Sequence, residues 1–239
     1  MAVNNYQENA ANASTSVTIS SYVVGSESDR ILTVVCTSND GSDNTFSGVT
    51  FGAAALTEDV TRTDTNGGFR YRTSIWRLLS PAASTANIVA TCSVTADALG
   101  VQAVYLDGQS GAAEVTATAQ STGAPPILVT IGAGLTQNAV VVYGCIAEGS
   151  SPNISALTGS GATLAGDIEI DTTFSVFSGL ATEVAGVSGS ETGGFGHNSA
   201  GTFQSNTIAA SYAPAGGAAA TPKGPLGHPF HGPFAGPIN

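Results

Sequence analysis

Residues 31–37 read Ile-Leu-Thr-Val-Val-Cys-Thr, and residues 139–147 read Ala-Val-Val-Val-Tyr-Gly-Cys-Ile-Ala. Each is a short, β-branched, nearly continuous apolar run, the pattern of a strand buried on both faces. The turn Ser38-Asn39-Asp40-Gly41-Ser42-Asp43 closes the first. Outward from these two cores, shorter β-type runs recur between Gly, Asn, Asp and Pro punctuation. They fall at 17–24, 47–51, 55–63, 69–79, 86–94, 100–106, 113–119, 127–131, 163–170, 173–180 and 202–212. Period-two alternation is plain where Phe69, Tyr71, Thr73 and Ile75 share one face and Arg70, Arg72 and Ser74 the other. No segment carries a helical period. The expectation is an all-β chain, a two-sheet antiparallel β-sandwich of jelly-roll or immunoglobulin-like kind over 17–214. A polar N-terminal segment (1–16) precedes it and a Gly/Pro-rich arm (215–239) follows.

Composition agrees. Hydrophobic residues make up 42% of the 239 and charged residues only 10%, which leaves few of the Glu/Lys pairs that lace exposed helices. A domain of this size buries enough surface to need no disulfide staple. Cys36, Cys92 and Cys145 lie in apolar or β-branched runs without metal-site spacing, and the reading is buried free thiols. Six basic against 17 acidic residues give a net charge of -11, which repels phosphate backbones and anionic lipid; nucleic acid and membrane are poor partners. The first 14 residues carry neither a cationic segment nor an apolar stretch of export length, so the expectation is a protein assembled inside a cell.

Two segments stand apart from the strand pattern. Residues 186–201, GVSGSETGGFGHNSAG, read as a flexible or partner-ordered loop. From Gly224 the chain reads GPLG, HPFH, GPFA, GPIN, which places Leu226, Phe230, Phe234 and Ile238 at every fourth position. Proline removes backbone donors and fixes φ, so this stretch is no helix and no interior strand. A polyproline-like arm of 16 residues reaches about 50 Å. A solvated linker needs no regularly placed phenylalanines, and the four apolar side chains are read as anchors in a partner.

Chemistry finds no constellation. The histidines are His197, His228 and His231, the one lysine is Lys223, and neither a nucleophile elbow nor a phosphate-binding loop is present. No catalytic, cofactor-binding or metal residue is assigned. Asp167, Glu169 and Asp171 alternate along one run and share a strand face, which is solvated or else a calcium or partner site. The turn at 39–43 offers oxygens but misses the register of a calcium loop. Arg62, Arg70, Arg72 and Arg77 cluster within one hairpin, where Arg62 is expected near Arg70; their acids are the chain's own or a neighbouring subunit's, and Arg62, Arg70 and Arg72 join the partner-binding set. Trp76, in a chain of 7% aromatics, gives little support to a sugar-stacking platform.

Four stretches together resemble a β-sandwich module of phage structural (virion) proteins and bacterial surface proteins. They are the core strand at 30–36, Val49-Thr50-Phe51-Gly52-Ala53-Ala54-Ala55-Leu56-Thr57, Ile75-Trp76-Arg77-Leu78-Leu79-Ser80-Pro81, and the closing run at 208–214. Ala53 stands where the pattern has a second glycine. The resemblance is greatest to a capsid decoration or cement protein of a tailed phage. It implies a non-enzymatic virion component without cofactors, a homo-oligomer that packs on the major capsid protein or other virion subunits. A tail or fibre component and a bacterial carbohydrate-binding or adhesion module are the alternatives.

Overall fold

In a computed structural model, residues 3–121, 126–149, 157–172, 175–186, 189–197 and 203–216 are described. They contain fifteen strands and no helix. The strands are β1 (Val3–Val24), β2 (Ile31–Asp40), β3 (Phe46–Phe51), β4 (Ala54–Ala55), β5 (Thr57–Asn66), β6 (Phe69–Leu79), β7 (Ser84–Leu106) and β8 (Thr116–Ser121). There follow β9 (Ile127–Leu135), β10 (Val140–Gly149), β11 (Leu157–Ser160), β12 (Thr163–Asp171), β13 (Val176–Val184), β14 (Gly189–His197) and β15 (Phe203–Tyr212). All pairings are antiparallel.

Hydrogen bonding sorts these strands into three sheets, where the pattern suggested two. The first has the order β4-β3-β7-β2-β6-β5 with β1 on β7; the second is β12-β13-β10-β15-β8; the third is β11-β14-β9. Side-chain alternation explains the stacking. On β2, Leu32, Val34 and Cys36 face a core enclosed by the first sheet itself, while Ile31 and Val35 face Val140, Val142, Ile208 and Tyr212 of the second. On β10, Val141, Tyr143 and Cys145 face Val129, Ile131 and Phe195 of the third. Both core strands are therefore sandwiched, which is why their sequences are continuous rather than alternating.

The first sheet encloses a core because β1 and β7 bend together. Their register slips between Asn4 and Gln7, Ser14 and Ser16, and Ile19 and Tyr22. Asn5, Ala13 and Ser21 have positive φ at or beside these irregularities. Such bulges bend and twist a strand. One half of β7 pairs with β3 and the other with β2. The two halves of β1 come back within reach of each other: Asn5 Nδ2 donates to the Val23 carbonyl at 2.7 Å and Asn9 Nδ2 to the Thr18 carbonyl at 2.6 Å. The curled sheet is thus nearly closed, with asparagine side chains bridging the seam. The polar residues set apart at 1–16 by composition lie from Val3 onward in this strand.

The Gly-rich 186–201 stretch is also strand over Gly189–His197, not a loop. Its glycines let backbone and ring approach closely. A Cβ on Gly193 would sit 2.7 Å from the Tyr143 ring, and one on Gly194, at φ +151°, would sit 2.2 Å from the Ile127 carbonyl oxygen.

Candidate functional site

Leu226, Phe230, Phe234 and Ile238, the residues read as anchors, lie outside the described residues, as do His228 and His231. The last described residues before them are 213–216. Beyond β15, Pro214 bridges to Gln109, Ser110 N donates to the Ala213 carbonyl at 3.0 Å, and Ala215 N donates to the Gly108 carbonyl at 2.8 Å. Gln109 N in turn donates to the Asp29 carbonyl at 3.0 Å. Residues 213–216 are thereby stitched to the loops after β1 and β7, at one end of the sheets.

That end is apolar at its margin. Val3, Leu106, Ile31 and Leu79 form one row across four strands, and Val184, Val140 and Tyr212 form the corresponding row of the second sheet. The inner members are fully buried, whereas Val3, Leu79 and Val184 are 38%, 43% and 51% exposed. Val23, 47% exposed, has its backbone carbonyl at the same end, where it accepts from Asn5 Nδ2. Of the exposed large hydrophobics among the described residues, only Val94 and Leu128 lie elsewhere. Sequence reading misses this patch because each residue ends an ordinary strand; only the register brings them to one end.

The arginines of the β5–β6 hairpin are spread differently from expectation. Gly67 and Gly68 both have positive φ, the pattern of a two-residue type I′ turn, so 64–66 belong to the strand rather than to the turn. Arg62 falls opposite Thr73, Arg70 opposite Thr65, and Arg72 opposite Thr63, so no like charges oppose. Arg62 grips Asp64 with two bonds, 2.6 Å from Nε and 2.8 Å from Nη2, and reaches Thr118 Oγ1 at 3.2 Å. Arg70 pairs with Asp43, and Arg72 donates to the Asn44 carbonyl at 3.3 Å. Arg77 pairs with Asp59, which accepts the Tyr212 hydroxyl at 2.7 Å and is itself buried. This triad ties β5 and β6 of the first sheet to β15 of the second, and sequence spacing gave no sign of it.

The remaining candidates are spread through the fold. Asp167, Glu169 and Asp171 all lie on β12, where the register shifts between Glu169 and Asp171 and breaks strict alternation of the row. Of the turn expected over 38–43, Ser38, Asn39 and Asp40 are strand, paired with Arg72, Tyr71 and Arg70, and the chain turns only from Gly41; Asp40 accepts Ser42 N at 2.9 Å and Ser42 Oγ at 2.7 Å, and Gly41 N donates to Asp97 at 3.3 Å. Among the described residues, no three His, Cys, Asp or Glu side chains converge. His197 falls at the end of β14. Trp76 is packed in the first core with its indole N–H on Ser74 Oγ at 2.8 Å. The three cysteines are free and buried. Burial pushes the Cys36 and Cys145 thiols far up, and Cys92 up to about 11.

Where the two halves of the chain meet, Gln102 is fully buried. It accepts Ser178 Oγ at 3.0 Å and donates to Tyr6 Oη at 2.8 Å and the Gly166 carbonyl at 3.3 Å. Asn206 donates to the Tyr71 carbonyl at 2.8 Å and accepts from Thr73. These bonds join the halves into one body. No family model, curated protein or solved structure matches this chain.

Proposed function

We propose that this protein is a non-enzymatic structural component of a virion, a capsid decoration or cement protein of a tailed phage. It packs on the major capsid protein or other virion subunits through its β body and its C-terminal arm, without nucleic acid, membrane or cofactor, and homo-oligomerises. Its stacked sheets are read as β-sandwich packing of the jelly-roll or immunoglobulin-like kind, in keeping with the virion module that the chain resembles. The observation that carries the reading is the arm: four apolar anchors at four-residue spacing, in a proline-restricted segment, attached to a body cross-braced by four buried apolar clusters.

Other features support it. An acidic surface disfavours nucleic acid and anionic lipid. None of the exposed large hydrophobics among the described residues is aromatic, and Trp76 is in the core, which favours an assembly role over a sugar-stacking module.

Particles assembled from the virion proteins encoded beside this one provide the test. The full chain is expected to sediment with them in stoichiometric amount, and a chain lacking 224–239 to remain folded in the supernatant. Failure of the full chain to bind, or equal binding by the truncated chain, overturns the reading.

A further inference from the structure

The apolar margin at the arm's exit suggests a specific occupant. We propose that Val3, Val23, Leu79 and Val184 form a docking patch for the arm, residues 224–239, of a second copy of this chain. Two copies would meet end to end and exchange arms. This rests on the assembly reading above and names one partner within it.

Three observations carry it. First, the chain leaves the described body at Gly216, on the same end as the patch, so two copies that juxtapose these ends bring each arm beside the other's patch. Second, the dimensions agree. Val3 and Leu79 stand three strand spacings apart, roughly 14 Å. Phe230 and Phe234 are four residues apart, roughly 12 Å in polyproline-like geometry. From Leu226 to Ile238 the arm covers roughly 37 Å, so one patch engages about two anchors and leaves the others for the facing body. Third, charge favours the contact. No acidic residue follows Glu191, residues 224–239 carry no acidic side chain, and Lys223 stands directly before them. The loops at the exit end carry Glu27, Asp29 and Asp107. A two-fold exchange of this kind is self-complementary and closes without leaving a patch open.

Sedimentation velocity on the full chain over a micromolar concentration series tests the contact. The expected result is a dimer whose dissociation concentration rises tenfold or more in Phe230→Ser/Phe234→Ser, and equally in Leu79→Ser/Val184→Ser. Because Leu79 and Val184 are half-exposed, the second variant should keep the wild-type thermal midpoint. Mixing the two defective chains should restore association, since one intact arm then meets one intact patch. A monomeric full chain, a dimer indifferent to the patch substitutions, or a cross-link from Phe234 to Leu79 within one chain overturns the proposal. Particle binding separates this failure from failure of the assembly reading. A patch variant that no longer dimerises but still occupies particles leaves the broader reading standing. Particle occupancy unaffected by the Phe230/Phe234 change strikes the broader reading itself.

Discussion

Asn9 donates its side-chain amide to the Thr18 carbonyl at 2.6 Å although both residues belong to one strand. Two points nine residues apart on a straight strand would lie about 30 Å from each other. The bond exists because the β1–β7 ribbon folds over at Ala13 and Ser14, and it supplies across the seam what a backbone ladder supplies elsewhere. Asn9→Ala and Asn5→Ala should each lower stability by about 0.5–1.5 kcal/mol, the net worth of one hydrogen bond, read as a shift in the urea midpoint. Asn9→Asp should cost more than Asn9→Ala at neutral pH, since an ionised carboxylate has no proton to donate to a carbonyl.

Between the halves of the chain, Gly144 marks a close approach. A Cβ there would sit 2.8 Å from Val35 Cγ1 and 3.3 Å from Thr73 Cγ2. Gly144→Ala should destabilise by roughly 1–3 kcal/mol through overpacking. Adding Val35→Ala should recover part of that loss, so the double mutant should be more stable than the sum of the two singles. Gly48→Ala, where an added Cβ meets nothing within 4 Å, is the comparison and should change little by this mechanism.

Asp59 holds Arg77 and Tyr212 together with a side chain only 3% exposed. Removing a buried partner strands the other charge, at a cost of roughly 3–5 kcal/mol in full burial. Arg77 keeps 14% exposure, so Asp59→Ala should fall at the lower end of that range. Tyr212→Phe should cost only about 1 kcal/mol. Equal effects in calorimetry would show that the ion pair contributes no more than one neutral bond.

Burial holds the Glu183 carboxyl above the usual carboxylate range; Tyr143, donating at 3.0 Å, works against this, and Glu191 adds to it. In the window between the unfolded and folded values the native state binds more protons than the unfolded state. Stability from this group is therefore greatest below that window and falls as pH rises through it. Glu183→Gln should flatten the stability–pH curve just above the ordinary carboxylate range. An unchanged slope would assign the dependence to another acid.

Much of the fold was legible because β2 and β10 announce themselves by continuous apolar sequence, and both are indeed central. The third sheet was not, because Gly193 and Gly194 look like loop residues until Tyr143 and the Ile127 carbonyl are placed against them. Nor was the pairing of 3–14 with β7. Residues such as Asn4, Gln7 and Asn9 carry no strand propensity, and only bulges and a long partner strand draw them in. The arginine positions followed from mistaking the turn's length: with Gly67-Gly68 as the whole loop, each arginine moves to a different cross-strand neighbour. As for the candidate site, the arm's anchors are a sequence signal, while the patch at its exit depends on strand register that no local pattern encodes.

In the assembly proposed above, Phe230 and Phe234 are the anchors. Burying two such side chains contributes roughly 3–6 kcal/mol gross, part of it offset by ordering the arm. The direct measurement is the affinity of Phe230→Ala/Phe234→Ala for reconstituted particles beside that of the unmodified chain. At least a hundredfold loss at unchanged thermal stability is expected, and equal affinities of the two chains would show that the phenylalanines are not anchors.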